Sequence, residues 1–168
     1  SKFGDARRTK ILNISKDDEE PTEIRSLQIS LTNKNNLYLS ESSTLYTQKR
    51  GGVGNKAKLE AGEYVTHTES IESNEEIAFF THSGDFYHYP AAALPVGERV
   101  AIESLFGLSG GERIVAISSF NKRKAEKNIV FFTKNGFVKK SELSEYNLKR
   151  SGSLKAINLD ANDEIASI

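Results

Sequence analysis

"LSGGERI" at 108–114 decides how the chain must be read, because its arrangement occurs twice more, as "LEAGEYV" at 59–65 and "LDANDEI" at 159–165. The three align without a gap as Leu, any residue, a small residue, Gly or Asn, an acid, any residue, and a β-branched residue. The leucines are spaced by 49 and 51, and an arginine stands nine residues before each of them, at Arg50, Arg99 and Arg150. The pattern reads as a turn followed by a strand that opens beside an acid. Repeats of this length are sought first, since missing one misreads the whole fold.

A second signature recurs in the same register. "SLTNKNNLYL" (30–39), "FFTHSGDFYHY" (79–89) and "FFTKNGFVKK" (131–140) carry Thr32, Thr81 and Thr133, spaced by 49 and 52. Each is an apolar strand, a tight turn at Lys34-Asn35-Asn36, Ser83-Gly84-Asp85 or Asn135-Gly136, and a second strand. Asn and Gly tolerate positive φ, so such turns between extended runs signal hairpins. Each unit of about fifty residues is therefore expected to hold several short antiparallel strands and no helix, the signature of propeller-like blades. One blade cannot bury both of its faces, so neighbours must pack against it. The first strand is expected near Ile24. Before it, residues 1–12 show no strand alternation and read as the end of a helix, and "NISKDDEEPTE" (13–23) reads as a linker.

Composition narrows the function. The 168 residues include no cysteine, which excludes disulfides and thiolate metal sites and fits a reducing cytoplasm. No apolar run is long enough to span a membrane, and no signal peptide opens the chain. Methionine is also absent, as expected of a piece of a longer protein. The net charge is zero but the charges are segregated. Glu60, Glu63, Glu69, Glu72, Glu75 and Glu76 fall in a stretch without Lys or Arg, whereas residues 121–150 hold nine cations against three acids. Such segregation still permits a positive surface for an anion.

Two basic segments are the candidate site. "YTQKRGGVGNKAKL" (46–59) sets Lys49, Arg50, Lys56 and Lys58 among Gly51, Gly52 and Gly54, next to Gln48. Glycines let a backbone approach phosphate closely, and the guanidinium of Arg50 can donate two hydrogen bonds at once. The competing explanation is a solvated hairpin. A nucleotide-binding P-loop is not matched, because Asn55 separates Gly54 from Lys56 and no Ser or Thr follows the lysine. "FNKRKAEKN" (120–128) supplies Lys122, Arg123, Lys124 and Lys127 in an expected inter-strand loop, with Lys134, Lys139, Lys140 and Arg150 beyond it. Arg99 and Arg150 stand at the repeat position of Arg50, which also allows a structural role common to all blades. His82 and His88 read as strand-face residues and the phenylalanines at 79, 80, 131 and 132 as core. No catalytic or metal-binding constellation is apparent.

These segments resemble a known family. "FGDARRTKI" (3–11) is similar to the segment of the DNA gyrase A subunit that leaves the breakage-reunion core and enters the C-terminal domain. "QKRGGVG" (48–54) resembles the gyrase box of that domain, with Lys49 where Arg is common and Val53 where a second cation is usual. "FFTKNGFVKKSELSEY" and "RSGSLKAINLDANDEI" resemble its blade segments. The resemblance covers nearly the whole chain. It implies an all-β, partial or shortened β-pinwheel of about three four-stranded blades over 24–168, after a linker 1–23 from the upstream core. It further implies a module that wraps double-stranded DNA on a basic rim. Its protein partners would be the remainder of the gyrase A subunit, together with the ATPase-bearing B subunit. The catalytic tyrosine, ATP and magnesium would then belong to other parts of the enzyme, with no cofactor in this chain. The related C-terminal domain from the C subunit of topoisomerase IV is the alternative. A propeller-like scaffold that docks protein partners through acidic residues 60–76 is the alternative from another class.

Overall fold

A computed structural model describes residues 23–44, 47, 49–52, 59–120, 128–146 and 152–168. The helix end expected over 1–12 and nearly all of the linker expected to 23 lie outside the described residues. The strands form three antiparallel sheets. In the first, β1 (Ser26–Thr32) and β2 (Asn36–Glu41) form a hairpin, and β3 (Val65–Glu72) pairs with the other side of β1. In the second, β4 (Glu76–Thr81) and β5 (Asp85–Pro90) form the hairpin, and β7 (Ile114–Phe120) flanks β4. In the third, β8 (Asn128–Thr133) pairs with β9 (Val138–Glu142) and with β11 (Ile165–Ser167).

The fourth strand of each complete sheet is borrowed from the next repeat. β6 (Arg99–Ala101) adds to β2, giving the order β3-β1-β2-β6, and β10 (Leu154–Lys155) adds to β5, giving β10-β5-β4-β7. A sequence repeat and a blade are thus offset from each other, and the blades interlock. Among the described residues the third sheet has three strands, in the order β11-β8-β9. The expectation of no helix is corrected locally. A five-residue α1 (Ile102–Phe106) follows β6, and short 3-10 turns close β2, β5 and β9. Ile102 and Phe106 explain the helix: one turn directs both apolar side chains inward, where Phe106 packs edge-on against Phe79 at 5.2 Å.

The two signatures recur together because they bind each other. In every repeat the residue after the threonine donates its N–H to the carbonyl of the residue after the turn acid: Asn33 to Tyr64, His82 to Arg113 and Lys134 to Glu164, at 2.9–3.0 Å. In every repeat the threonine hydroxyl accepts the N–H four residues ahead, from Asn36, Asp85 and Phe137 at 3.3, 3.0 and 3.1 Å. The acid then latches onto that threonine, as in the 2.7 Å bond from Thr32 to Glu63. Ser83 and Thr81 hydrogen-bond Glu112, and Thr133 hydrogen-bonds Asp163. The alternation of β1 follows directly. Leu27, Ile29 and Leu31 are buried while Gln28 and Ser30 are half-exposed, a period of two. β4 loses this alternation, since Ile77 to Thr81 are all buried. It lies between two neighbouring sheets, so both of its faces are covered.

The core is correspondingly divided. Ile77, Phe79 and Ile117 meet Leu27, Ile29, Leu31, Leu37 and Leu39 of the first blade, whereas Ala78, Phe80 and Phe86 meet Ile129, Phe131, Tyr146 and Ile165 of the third. Phe80 packs edge-on against Phe131 at 5.7 Å and Tyr146 at 6.1 Å. Burying an aromatic of this size contributes about 1.5–3 kcal/mol before entropy is counted. Phe132 departs from the expectation that all four repeated phenylalanines are core, being 46% exposed. It alternates to the face of the third sheet turned away from the second. His82 is also corrected: it sits in the turn after β4, not on a strand face.

Candidate nucleic-acid interface

The inner side of the molecule is marked by the strands that touch across blades. β3 contacts β7, and β7 contacts β11. β2 and β9 are each separated from that seam by a strand of their own sheet, β1 and β8. The chain leaving β2 makes a 3-10 turn at Ser42–Thr44 and reaches a tight turn in which the Gly52 N–H donates to the Lys49 carbonyl at 2.9 Å. Gly51 holds φ at +83°, and the space where a Cβ would stand is open. The turn needs the left-handed conformation that glycine supplies at little cost. Lys49 and Arg50 stand exposed at its corners. No carboxylate among the described residues lies within ion-pair distance of either.

The other expected site residues separate into groups. Lys140, on β9, is exposed and likewise has no carboxylate partner among the described residues. Lys139 donates to the Ala156 carbonyl at 2.7 Å. Lys134 is engaged by Glu164, which Arg113 also approaches at 3.5 Å. The hydrogen bond from Lys134 is the first cause of the lowered Glu164 pKa, so this lysine's charge is largely answered inside the fold. Gln48, Gly54, Lys56, Lys58, Lys122, Arg123, Lys124, Lys127 and Arg150 lie outside the described residues.

Arg99, the repeat counterpart of Arg50, is an ion-pair partner of Glu60, which Lys34 also approaches at 3.4 Å. Arg25 pairs with Glu41 at 2.8 Å and Lys155 with Asp85 at 3.3 Å. Residue order gives no sign of these pairings, because partners so far apart along the chain leave no local signal.

The acids of residues 60–76 do not make a continuous free face. Glu60 is paired as above, Glu69 accepts the Ser119 N–H at 3.4 Å, and Glu76 binds the ring of His88. Glu63 is buried, and its carboxyl is held at about 2 by hydrogen bonds from the Asn36 amide, the Glu60 N–H, Thr32 and Tyr38, against the opposing effect of burial. Glu112 and Asp163 are lowered too: burial pushes each up, but hydrogen bonds from Ser83 and Thr81 to the first, and from Thr133 and backbone N–H groups to the second, outweigh it. Ion pairs within and between repeats thus engage most of the described cations, namely Arg25, Lys34, Arg99, Arg113, Lys134 and Lys155. Lys49, Arg50, Lys139 and Lys140 are left without a described carboxylate partner.

The chain matches the family model described as DNA gyrase C-terminal domain, beta-propeller, over residues 29–72 and 127–168. It is 32% identical over 171 residues to the DNA gyrase A subunit of Mycolicibacterium smegmatis, covering 98% of this chain and 20% of that protein. It is also 32% identical over 177 residues to the DNA gyrase A subunit of Campylobacter fetus, covering 100% of this chain and 20% of the relative. The chain therefore spans about a fifth of the length of these relatives. A solved DNA gyrase A C-terminal domain superposes with a TM-score of 0.67 at 19% identity, over 84% of this chain and 46% of that one. The C-terminal domain of DNA topoisomerase IV superposes with a TM-score of 0.65 at 19% identity, over 87% and 46%.

Proposed function

The chain belongs to the DNA gyrase C-terminal domain family, and from that premise we propose that it binds duplex DNA and bends it around the outward side of its blades. It serves as the wrapping module in the A subunit of a type IIA topoisomerase. Its partners are double-stranded DNA, the remainder of that polypeptide and the ATPase-bearing B subunit. The observation that carries this reading is the turn at Lys49–Gly52, where two cations stand exposed with no described carboxylate to neutralise them. Such groups gain free energy by displacing the counterions of DNA, without regard to base sequence. Phosphate contacts fix position and curvature, which is what wrapping demands. Strand breakage, ATP and magnesium belong to the rest of the enzyme, in the cytoplasm. Among the described residues no helix is long and apolar enough to cross a membrane.

A filter-binding titration on linear duplex DNA over a series of salt concentrations tests the reading. Retention that falls steeply and linearly in log–log form with salt, and is indifferent to base sequence, supports it. No retention even at low salt rejects it in favour of a protein-binding scaffold.

A further inference from the structure

We propose that Asn35 is a positioning residue that fixes the tilt of the first blade on the second, and with it the curvature imposed on bound DNA; the second half of this inference rests on the wrapping reading. Asn35 lies in the turn between β1 and β2, with φ at +55°. Few residues besides glycine hold a left-handed backbone readily, and Asn is one of them. The residue is 9% exposed. Its N–H donates to the Thr32 carbonyl at 3.1 Å, and its carbonyl accepts the Ile102 N–H at 3.0 Å. The side-chain amide turns toward the next blade. Nδ2 donates to the Glu112 main-chain carbonyl at 2.7 Å, and Oδ1 accepts the Ile114 N–H at 3.1 Å.

Those two main-chain groups show what the amide does. β7 is the edge strand of the second sheet. Arg113, on the approach to it, turns its backbone to His82: its carbonyl accepts the His82 N–H at 2.9 Å, and its N–H donates to the His82 ring at 3.2 Å. By strand alternation, the backbone groups of Glu112 and Ile114 point the other way, toward the first blade. Edge groups buried in this way need partners. The amide of Asn35 offers one donor and one acceptor on a single planar group, and it stands where the peptide of a neighbouring strand would. Three hydrogen bonds between the first and second repeats thus converge on one residue, at the hairpin end of the sheets. Near the other end of β7 the crossing bond is the longer one from the Ser119 N–H to Glu69, at 3.4 Å.

The junction of the second blade with the third repeat is built differently. Gly84 holds the same repeat position as Asn35, its N–H donating to the Thr81 carbonyl at 3.1 Å. Its carbonyl accepts the N–H of Ala156, the counterpart of Ile102, at 2.8 Å. Ile165, the counterpart of Ile114, donates to the main-chain carbonyl of His82 at 2.9 Å, so no side-chain amide is interposed. A Cβ at Gly84 would meet the Ile157 carbonyl oxygen at 2.5 Å. This junction closes backbone on backbone, whereas the first is propped by an amide. The first also takes in the Phe106 ring, 5.2 Å from Phe79 and 4.7 Å from Tyr87, on a helical turn that the third repeat lacks. The residue at this turn position therefore sets how closely two blades approach. Lys49 and Arg50 follow β2 of the first blade, so its tilt aims them. DNA resists bending, and its curvature follows the relative orientation of the cations that hold it.

The test uses the 168-residue chain, whose lack of cysteine lets Ser26→Cys and Ser109→Cys carry spin labels at unique positions. Both serines are exposed, one opening β1 and the other beginning the turn that leads into β7. Asn35→Gly keeps the turn conformation and removes the amide. It should shift the label separation, read by pulsed EPR without DNA, by about 3–5 Å, the scale of one strand spacing. It should also lower energy transfer between dyes at the two ends of a short duplex saturated with protein. Asn35→Asp keeps the acceptor but sets an oxygen against the Glu112 carbonyl; it should displace the labels too, and it decides the matter if the glycine variant does not fold. The salt slope of DNA retention should stay within about half a unit of the parent, because Asn35 is buried and reaches no phosphate. An unchanged label separation in the folded variants, a lowered melting temperature with energy transfer intact, or a slope reduced by a full unit would each overturn the proposal. A parent chain that bends no duplex would sink the wrapping reading instead, and the label separation would still decide whether Asn35 sets the tilt.

Discussion

The Thr32 hydroxyl donates to the Glu63 carboxylate at 2.7 Å, across a sequence separation of 31 residues. Thr32 is 2% exposed and Glu63 8%. The bond joins the hairpin of the first blade to the turn that starts β3, and its counterparts recur in the other two blades. A buried hydrogen bond to a charged acceptor is among the stronger ones, because removing one partner strands the other out of water. Thr32→Val should therefore lower unfolding stability by about 2 kcal/mol. A urea titration checks it, and an unchanged midpoint would mean that the latch is decorative.

Acid should loosen all three latches together. Glu63, Glu112 and Asp163 all titrate below their ordinary values in the folded chain. A carboxyl whose folded value is depressed contributes stability that is full above the unfolded range, about pH 4 to 4.5. That contribution drains as pH falls through the folded value, about 2 for Glu63. Stability should thus be level from neutral pH down to about 5 and fall below it. Glu63→Gln should be less stable at neutral pH and show a shallower decline toward acid, seen in urea midpoints taken across that range.

The alternation in β8 predicts opposite outcomes for adjacent aromatics. Phe131 is 0% exposed and packs on Phe80, while Phe132 is 46% exposed. Phe131→Ala should cost about 3–5 kcal/mol, the usual range for emptying a buried aromatic site. Phe132→Ala should cost less than about 1 kcal/mol. Thermal melts of the two variants distinguish a correct register from one slipped by a residue, which would exchange the two results.

Gly84 should be intolerant for two separate reasons. Its φ is +91°, and a Cβ there would sit 2.5 Å from the Ile157 carbonyl oxygen, in the contact where the third repeat crosses to the second blade. Gly62, at φ +73°, faces open space and bears only the conformational cost. Gly84→Ala should destabilise distinctly more than Gly62→Ala and should speed amide exchange at Ala156, whose N–H donates to the Gly84 carbonyl. Equal losses in the two variants would show that steric contact is not what fixes glycine at position 84.

On DNA, Lys49→Ala/Arg50→Ala should reduce the salt slope of binding by about two units, one for each phosphate contact removed. Lys134→Ala should change the slope less, since Glu164 already answers that charge. A Lys49/Arg50 double variant with an unaltered slope would take the turn out of the interface.

The repeat, the hairpins and the burial of Phe79, Phe80 and Phe131 were legible from residue order because each rests on local rules: positive φ at Asn and Gly turns and period-two alternation within a strand. The gyrase-box segment was legible as composition only. Which cations remain free was not, because Lys34 and Arg99 meet Glu60, and Lys134 meets Glu164, only after the chain has folded.

By itself the amino-acid order determined the all-β class, the repeat of about fifty residues and the family, since hydrogen-bonding turns and apolar spacing act over a few residues and recur visibly. Only the tertiary structure decided that the first two blades complete themselves with a strand from the following repeat, that Phe132 faces outward, and that Lys49, Arg50 and Lys140 keep their charge uncompensated among the described residues. These outcomes depend on pairings between segments tens of residues apart, and the free energy of such a pairing is set by what else competes for the same edge, face or carboxylate.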